Sequence, residues 1–235
     1  MALTLPQGAE KGRVVEAMFD RIAPRYDLVN GLISLGAHHR WKRAAVRALG
    51  VAPGARTLDL ACGTGDLLGE LGAIGARGLG LDRSGGMLAA ARRRGVRVPL
   101  LRAAGEALPL RTAALDGAVC GFALRNFVDI APVLREVARV LRPGARLAIV
   151  EVDRPRSPFV AGAHRVWFER VVPVVGGLLS DGWAYRYLPT SAAYLPDDAE
   201  LRELLEAAGF DRLWKRRFMF GAAQLVVATR KAAAC

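Results

Sequence analysis

The chain has 235 residues, 52% of them hydrophobic and 24% charged, and a formal net charge of +12. That length suits one large domain with a sizeable core, and that hydrophobic content excludes general disorder. No apolar run reaches the roughly 18 residues of a spanning helix, and the N-terminus lacks a basic stretch followed by an apolar core, so a cytoplasmic protein is the default expectation. Cys62, Cys120 and Cys235 form no Cys-x-x-Cys or Cys/His spacing, which predicts reduced thiols and no metal site. The basic balance is compatible with nucleic acid, an anionic membrane surface or solvated faces. Its clusters are Arg92-Arg93-Arg94 and Lys215-Arg216-Arg217. No nucleic-acid motif accompanies either, so solvated faces are expected and a nucleic-acid partner is not.

Residues 10–22 carry Val14, Val15, Met18, Phe19 and Ile22 at helical spacing, and Pro24 stops the run. A polar, aromatic elbow is expected over 25–30, and a second helix opens within 34–43. Both precede the first strand, so residues 10–50 are expected to form a helical cap over the ligand edge of a sheet. From Arg56 onward strands and helices alternate, the sign of a parallel sheet. Strands are expected at 57–61, 77–82, 96–101, 116–122 and 145–152. Ser84 caps a helix over 87–94, residues 106–110 form a loop, and an amphipathic helix fills 129–141. Residues 154–196, rich in Pro, Gly and apolar side chains, read as an irregular insertion: either a lid over a lipophilic substrate or a membrane-touching segment, or a stretch simply buried against the sheet. A helix over 198–208 and a pair of strands at 210–215 and 222–229 close the chain.

The stretch Arg56-Thr-Leu-Asp-Leu-Ala-Cys-Gly-Thr-Gly-Asp66 runs from an apolar strand through a glycine turn into a helix. Gly63 and Gly65 let the backbone turn sharply and approach a ligand closely. Dinucleotide-binding turns set a helix N-terminus against a pyrophosphate, but here the helix begins with Asp66, which repels a phosphate. The next strand ends in Asp82, about 20 residues on, the distance at which an acid meets ribose hydroxyls in such folds. An adenosine ligand without phosphates fits best.

Several stretches together resemble the ubiquinone/menaquinone biosynthesis C-methyltransferases, a family of class I methyltransferases dependent on S-adenosylmethionine. They are Met18-Phe-Asp-Arg-Ile-Ala-Pro-Arg-Tyr-Asp-Leu-Val-Asn30, Leu32-Ile-Ser-Leu-Gly-Ala-His-His-Arg-Trp-Lys-Arg43, Leu58-Asp-Leu-Ala-Cys-Gly-Thr-Gly-Asp66, Glu106-Ala-Leu-Pro-Leu110, Gly121-Phe-Ala-Leu-Arg-Asn126, Leu141-Arg-Pro-Gly144 and Tyr185-Arg-Tyr-Leu-Pro-Thr-Ser191. The resemblance implies a Rossmann-like α/β fold, with a mostly parallel seven-stranded sheet and helices on both faces, as one domain over the whole chain. It implies that S-adenosylmethionine meets Asp59, Ala61, Gly63, Thr64, Gly65, Asp82, Arg83, Met87, Ala104, Gly105, Glu106, Gly121 and Phe122. The implied substrate is a lipophilic, prenylated quinol methylated on a ring carbon, which with the basic charge suggests contact with a membrane surface. A homodimer stays open.

Such a carbon becomes nucleophilic when a neighbouring phenol, with a free pKa of about 10, loses its proton. Arg125 is the candidate to stabilise the phenolate and Asn126 to hold the ring. Tyr26 would close over the methyl group or relay the proton, with Asp27 behind it. In the alternative, Arg125 pairs with an acid such as Asp153 and Tyr26 merely anchors the cap. His38 and His39 read as packed or surface residues, and His164 as a lesser proton acceptor. Trp167, Phe168, Trp183, Tyr185 and Tyr187 would line the lipophilic pocket or pack the lid. Ala104 stands where the family usually has an acidic or amide residue at the adenine, and Gly221–Arg230 departs from the family's usual C-terminal pattern. These departures leave room for a related enzyme acting on another phenolic or polyketide compound. The remaining alternatives are a nucleic-acid-associated protein and a cofactor-binding scaffold without catalysis.

Overall fold

The alternation that begins at Arg56 is a parallel sheet in the computed structural model, which describes residues 7–153, 155, 162 and 166–232. Strands β1 (Arg56–Leu60), β2 (Arg77–Asp82), β3 (Leu100–Arg102), β4 (Leu115–Gly121) and β5 (Leu141–Val152) lie parallel. β6 (Phe210–Phe218) and β7 (Ala223–Arg230) join antiparallel, giving the order β3-β2-β1-β4-β5-β7-β6. Leu58, Leu60, Val119, Cys120, Leu147 and Ile149 are all buried, as expected of strands covered on both faces. The strand order reverses direction between β1 and β4, and a ligand crevice opens at the carboxyl ends of strands flanking such a point.

Helices α4 (Asp66–Ala73), α5 (Gly85–Arg93) and α6 (Ile130–Val140) cross between the strands. Their starts follow local chemistry: the Ser84 hydroxyl accepts from the Met87 amide at 3.0 Å, and the Asp129 carboxylate accepts from the Ala131 amide at 3.0 Å. One face of the sheet buries α6 and α9 (Asp198–Ala207) through Val133, Leu134, Val137, Leu201 and Leu205. The other buries α3 (Ala37–Leu49) and α4 through Ala45, Val46, Leu49, Leu67, Leu68 and Leu71.

Three expectations change. Residues 26–30 are not part of an elbow but belong to helix α2 (Tyr26–Ile33), which a three-residue turn over 23–25 separates from α1 (Gly8–Ile22). Pro24 ends α1 but stands outside α2, whose Val29 is fully buried and whose Ile33 packs beside it. The third strand is shorter than expected. Pro99 brings no N–H to the ladder, and Arg92 takes the carbonyls of Val96 and Val98 at 3.0 and 2.9 Å. The insertion is not irregular where it is described: a helical turn over Trp167–Val171 leads into α7 (Val172–Leu179) and α8 (Gly182–Ser191). Pro173 stands where the wider turn over Trp167–Val171 passes into α7, a change of helical pitch that accommodates a residue without an N–H. A Cβ on Gly176 would meet the Tyr185 ring at 2.0 Å, so glycine there lets α7 and α8 touch. Proline and glycine, read as loop signals, serve a tight helical pair.

Met18, Ile22, Val29, Met87, Val172, Ala184, Tyr185 and Tyr187 form a third buried cluster. It joins the helices before β1 to those after β5. Cap and insertion are therefore packed together. Tyr185 and Tyr187 pack this layer, Trp183 stacks on Tyr187 at 5.6 Å, and the Trp167 indole donates to the Ile33 carbonyl at 3.2 Å. None of these rings lines the crevice described below. His164 and the Phe168 side chain lie outside the described residues.

Candidate active site

The glycine turn after β1 is built on left-handed backbone: φ is +55° at Ala61, +54° at Gly63 and +89° at Gly65. A Cβ on Gly65 would meet Val96 at 2.7 Å, which accounts for glycine at that position. Asp82, at the end of β2, accepts the Gly63 amide on one carboxylate oxygen and the Ser84 amide on the other, each at 2.8 Å. Burial pushes its pKa up, opposed by the amides of Ser84, Gly63 and Arg83. Each oxygen keeps a lone pair for a ligand hydroxyl.

Behind the turn lies a polar network that ties it to the cap. The Thr64 hydroxyl donates to Asp27 at 2.6 Å, and Arg94 reaches Asp27 at 3.0 Å and Asp66 at 2.8 Å. Lys42, from α3, sits 2.7 Å from the same Asp66 carboxylate. Burial raises the Asp66 pKa, but Lys42 and Arg94 outweigh it and hold the carboxyl below the usual carboxylate range. Arg94 is thus part of an ion-pair network rather than the solvated face expected of its cluster. Lys215 and Arg217 likewise bind Asp153 and Asp198.

The His38 and His39 rings lie 3.9 Å apart, tilted by 38°, beside Asp66, and these three have metal-ligating atoms within 4.8 Å of one another. Lys42 and Arg94 already neutralise that carboxylate. Burial, helped by Lys42 and His39, lowers the His38 pKa to about 4, so it is neutral at physiological pH. Cys62 and Cys120 are buried free thiols whose pKa values burial pushes up.

In front of the turn, a cavity of about 750 Å³, counting its solvent-open mouth, extends along the carboxyl ends of β1, β2 and β4. Of the expected cofactor residues, Ala61, Gly63, Asp82, Arg83, Met87, Gly105, Glu106, Gly121 and Phe122 line it. Asp59, Thr64, Gly65 and Ala104 do not: Asp59 is fully buried in β1, and Thr64 turns back to Asp27. The departure at Ala104 therefore falls outside the wall, which Ala103 and Gly105 supply. Most of the C-terminal departure falls on β7, a buried strand.

The rest of the wall is made by Tyr26, Phe122 and Asn126, with Phe127 set beside Gly105, where an added Cβ would meet its ring at 3.1 Å. Burial raises the Tyr26 pKa, keeping the phenol protonated. Asn126, which lines the cavity, has a buried side-chain oxygen, Oδ1, with no hydrogen-bond partner. Arg125 points elsewhere. It is 6% exposed, donates to Ser191 Oγ at 3.2 Å and to the Phe122 carbonyl at 3.0 Å, and forms a short ion pair with Glu151, itself 1% exposed. Its acid is Glu151, not Asp153.

Sequence reasoning missed the wall that α1 provides through Gly12, Val15, Glu16 and Phe19. Glu16 accepts from Arg83 and Arg102, both at 2.9 Å, and Asp20 accepts from the Ser84 hydroxyl at 2.5 Å and the Gly86 amide at 2.8 Å. The helical period of α1 was visible; which of its faces meets a cavity was not.

A family model described as the ubiE/COQ5 methyltransferase family matches residues 7–230. The chain belongs to this family. It is 45% identical over 221 residues to the demethylmenaquinone methyltransferase of Thermus thermophilus, covering 91% of this chain and 100% of that one. It is 43% identical over 205 residues to the ubiquinone/menaquinone biosynthesis C-methyltransferase UbiE of Syntrophotalea carbinolica, covering 85% and 86%. Among solved structures, an S-adenosylmethionine-dependent methyltransferase from Thermotoga maritima superposes with a TM-score of 0.66 at 22% identity, over 92% of this chain and all of that one. That likeness shows the fold. Membership of the ubiE/COQ5 family makes the chain an enzyme, a methyltransferase with S-adenosylmethionine as methyl donor. The residues present fit that donor: Asp82, with lone pairs facing the cavity, suits a ribose diol, and the glycine turn beside it leaves a cradle free of side chains.

Proposed function

We propose that this enzyme methylates a ring carbon of a prenylated quinol, a demethylmenaquinol or a ubiquinol precursor, in isoprenoid quinone biosynthesis. The observation that carries the reading is the chain-length likeness to relatives named for that reaction. The two-ended cavity agrees with it, pairing a carboxylate and glycine turn with an aromatic wall.

In this reading Asp82, Gly63, Met87, Gly105 and Glu106 hold S-adenosylmethionine, which supplies an electrophilic methyl group on a positive sulfur. Phe122 flanks the flat quinol ring, and the Asn126 side chain meets a ring hydroxyl, fixing which carbon is presented. Tyr26, protonated, donates to a ring oxygen and stabilises the negative charge that develops as the phenol proton passes to water at the open mouth of the cavity. Arg125 acts as a positioning residue: its links to Phe122, Glu151 and Ser191 set the turn that carries Asn126. Lys11, whose charge is felt by Glu106, has its pKa lowered by burial to about 8. An isoprenoid tail keeps such a quinol in the bilayer, so the enzyme would work at a membrane surface.

Methyl transfer from isotope-labelled S-adenosylmethionine to a panel of reduced substrates tests this. Label on a ring carbon of a demethylmenaquinol or ubiquinol-precursor analogue is the expected outcome. Label only in unprenylated phenols would move the enzyme to the tailoring of other phenolic compounds, and no transfer with the cofactor bound would remove the function.

A further inference from the structure

We propose that the outer faces of α2 and α7 form a docking surface for an anionic lipid bilayer. Leu28 and Leu32 stand one turn apart on α2, 57% and 47% exposed, and Val174 and Leu178 one turn apart on α7, 60% and 80% exposed. The two helices touch, so these exposed side chains stand on neighbouring elements. Leu35, just past α2, is 78% exposed and held at φ +49°, a left-handed conformation that side chains resist. Backbone strain here presents a leucine to the surroundings.

A second apolar point lies on the same edge of the sheet. Met219 and Phe220, in the turn between β6 and β7, have φ of +45° and +55° and are 55% and 85% exposed. The turn follows Phe218, which pairs with Ala223, itself opposite Val152 at the carboxyl end of β5. Trp41 links this turn to the site, its ring 6.2 Å from both Phe218 and Phe122.

Charge selects the occupant. Between residues 21 and 43 the chain carries Arg21, Arg25, Arg40, Lys42 and Arg43 against a single acid, Asp27. Lys42 and Asp27 are tied into the network behind the glycine turn, Arg21 pairs with Asp181 and Arg43 with Glu70, and Arg25 and Arg40 are exposed without an ion pair among the described residues. Arg25 stands at the seam of the two helices, donating to the Leu179 carbonyl at 2.7 Å. Apolar side chains rimmed by arginine match an anionic leaflet, which attracts the rim while the leucines enter the headgroup boundary. A second copy is the poorer partner, because a two-fold contact would set this basic rim against itself. Tyr26, the first residue of α2, lines the cavity, so a bilayer on this face would stand beside the substrate end of the site.

The proposal rests on the quinol reading for why the cavity should face lipid; the surface itself rests on the exposed side chains. The test is co-sedimentation of the full chain with vesicles of phosphatidylcholine, with and without phosphatidylglycerol, followed across salt concentration. The wild type is expected to pellet with the anionic vesicles and to be released as salt rises. The paired variant Leu32→Ser with Leu178→Ser, and separately Arg25→Gln with Arg40→Gln, should each lower partitioning about tenfold. Both should keep wild-type methyl transfer to a soluble, tail-free quinol, which shows that they fold. Wild-type vesicle binding by both paired variants would overturn the proposal. So would a wild type that stays in the supernatant at low salt, or a dimer that the leucine substitutions split without any vesicle binding. Failure of methyl transfer in every protein would sink the quinol reading while the vesicle result still judges the surface.

Discussion

The two ends of the cavity are built in different ways. The end at the glycine turn comes from one contiguous unit, β1 through β2, and its key contact is between backbone amides and the Asp82 carboxylate. The aromatic end is assembled from α2, the turn after β4 and, behind it, β5 and α8, with side chains meeting across gaps of 26 and 66 residues at Arg125. A backbone cradle is specified by where glycine must stand. A side-chain wall is specified by how distant elements pack, and it is the more fragile of the two.

The sharpest way to break the aromatic end is to unpair Arg125. Arg125→Ala leaves Glu151 charged and buried without its partner, and thermal denaturation should show a loss of about 3–5 kcal/mol. Replacing both members by methionine should recover most of that loss. If the single variant is as stable as wild type, the buried pair does not hold the turn together. A smaller effect is expected where the two ends are fastened to each other. Lys42→Met removes one of the two cations on Asp66, and denaturant unfolding should register about 1–3 kcal/mol. The depressed Asp66 pKa means that this stabilisation is fully present above the unfolded value of about 3.9 and is lost as pH falls through the lower folded value. The variant should therefore show a weaker acid limb.

The gentlest test is His38. Its folded pKa of about 4 lies below the unfolded value of about 6.5, so the unfolded chain binds the extra proton between them and stability falls as pH drops through that window. His38→Gln should flatten the stability profile between those values. An unchanged slope there would mean that His38 takes up its proton in the folded protein.

The same contrast explains what the sequence made legible. That Gly63 and Asp82 meet was readable because strand, turn, helix and strand follow one another and the spacing carries the geometry. The partner of Arg125 was not. Glu151 and Asp153 lie two residues apart at the end of one strand, both plausible from sequence. Asp153 is taken by Lys215 and Arg217 only because β7 inserts between β5 and β6, a long-range arrangement that no local pattern announces. The α1 wall was hidden for a similar reason: the period of Val15, Met18, Phe19 and Ile22 predicts a helix, but Val15 and Phe19 line a cavity while Met18 and Ile22 are fully buried in the cluster that includes Met87 of α5. Residues 166–194 misled because Pro173 and Gly176 were read as breakers, when one starts a helix and the other lets two helices touch.

The most direct test of the two-ended site is a paired measurement of cofactor affinity and turnover on Asp82→Ala and Asn126→Ala. Asp82→Ala should weaken S-adenosylmethionine binding by roughly two orders of magnitude, through the loss of charge-assisted hydrogen bonds. Asn126→Ala should leave that affinity at the wild-type value and lower kcat about tenfold or more toward a quinol. Equal losses of affinity and turnover in both variants would contradict the division of the cavity into a cofactor end and a substrate end.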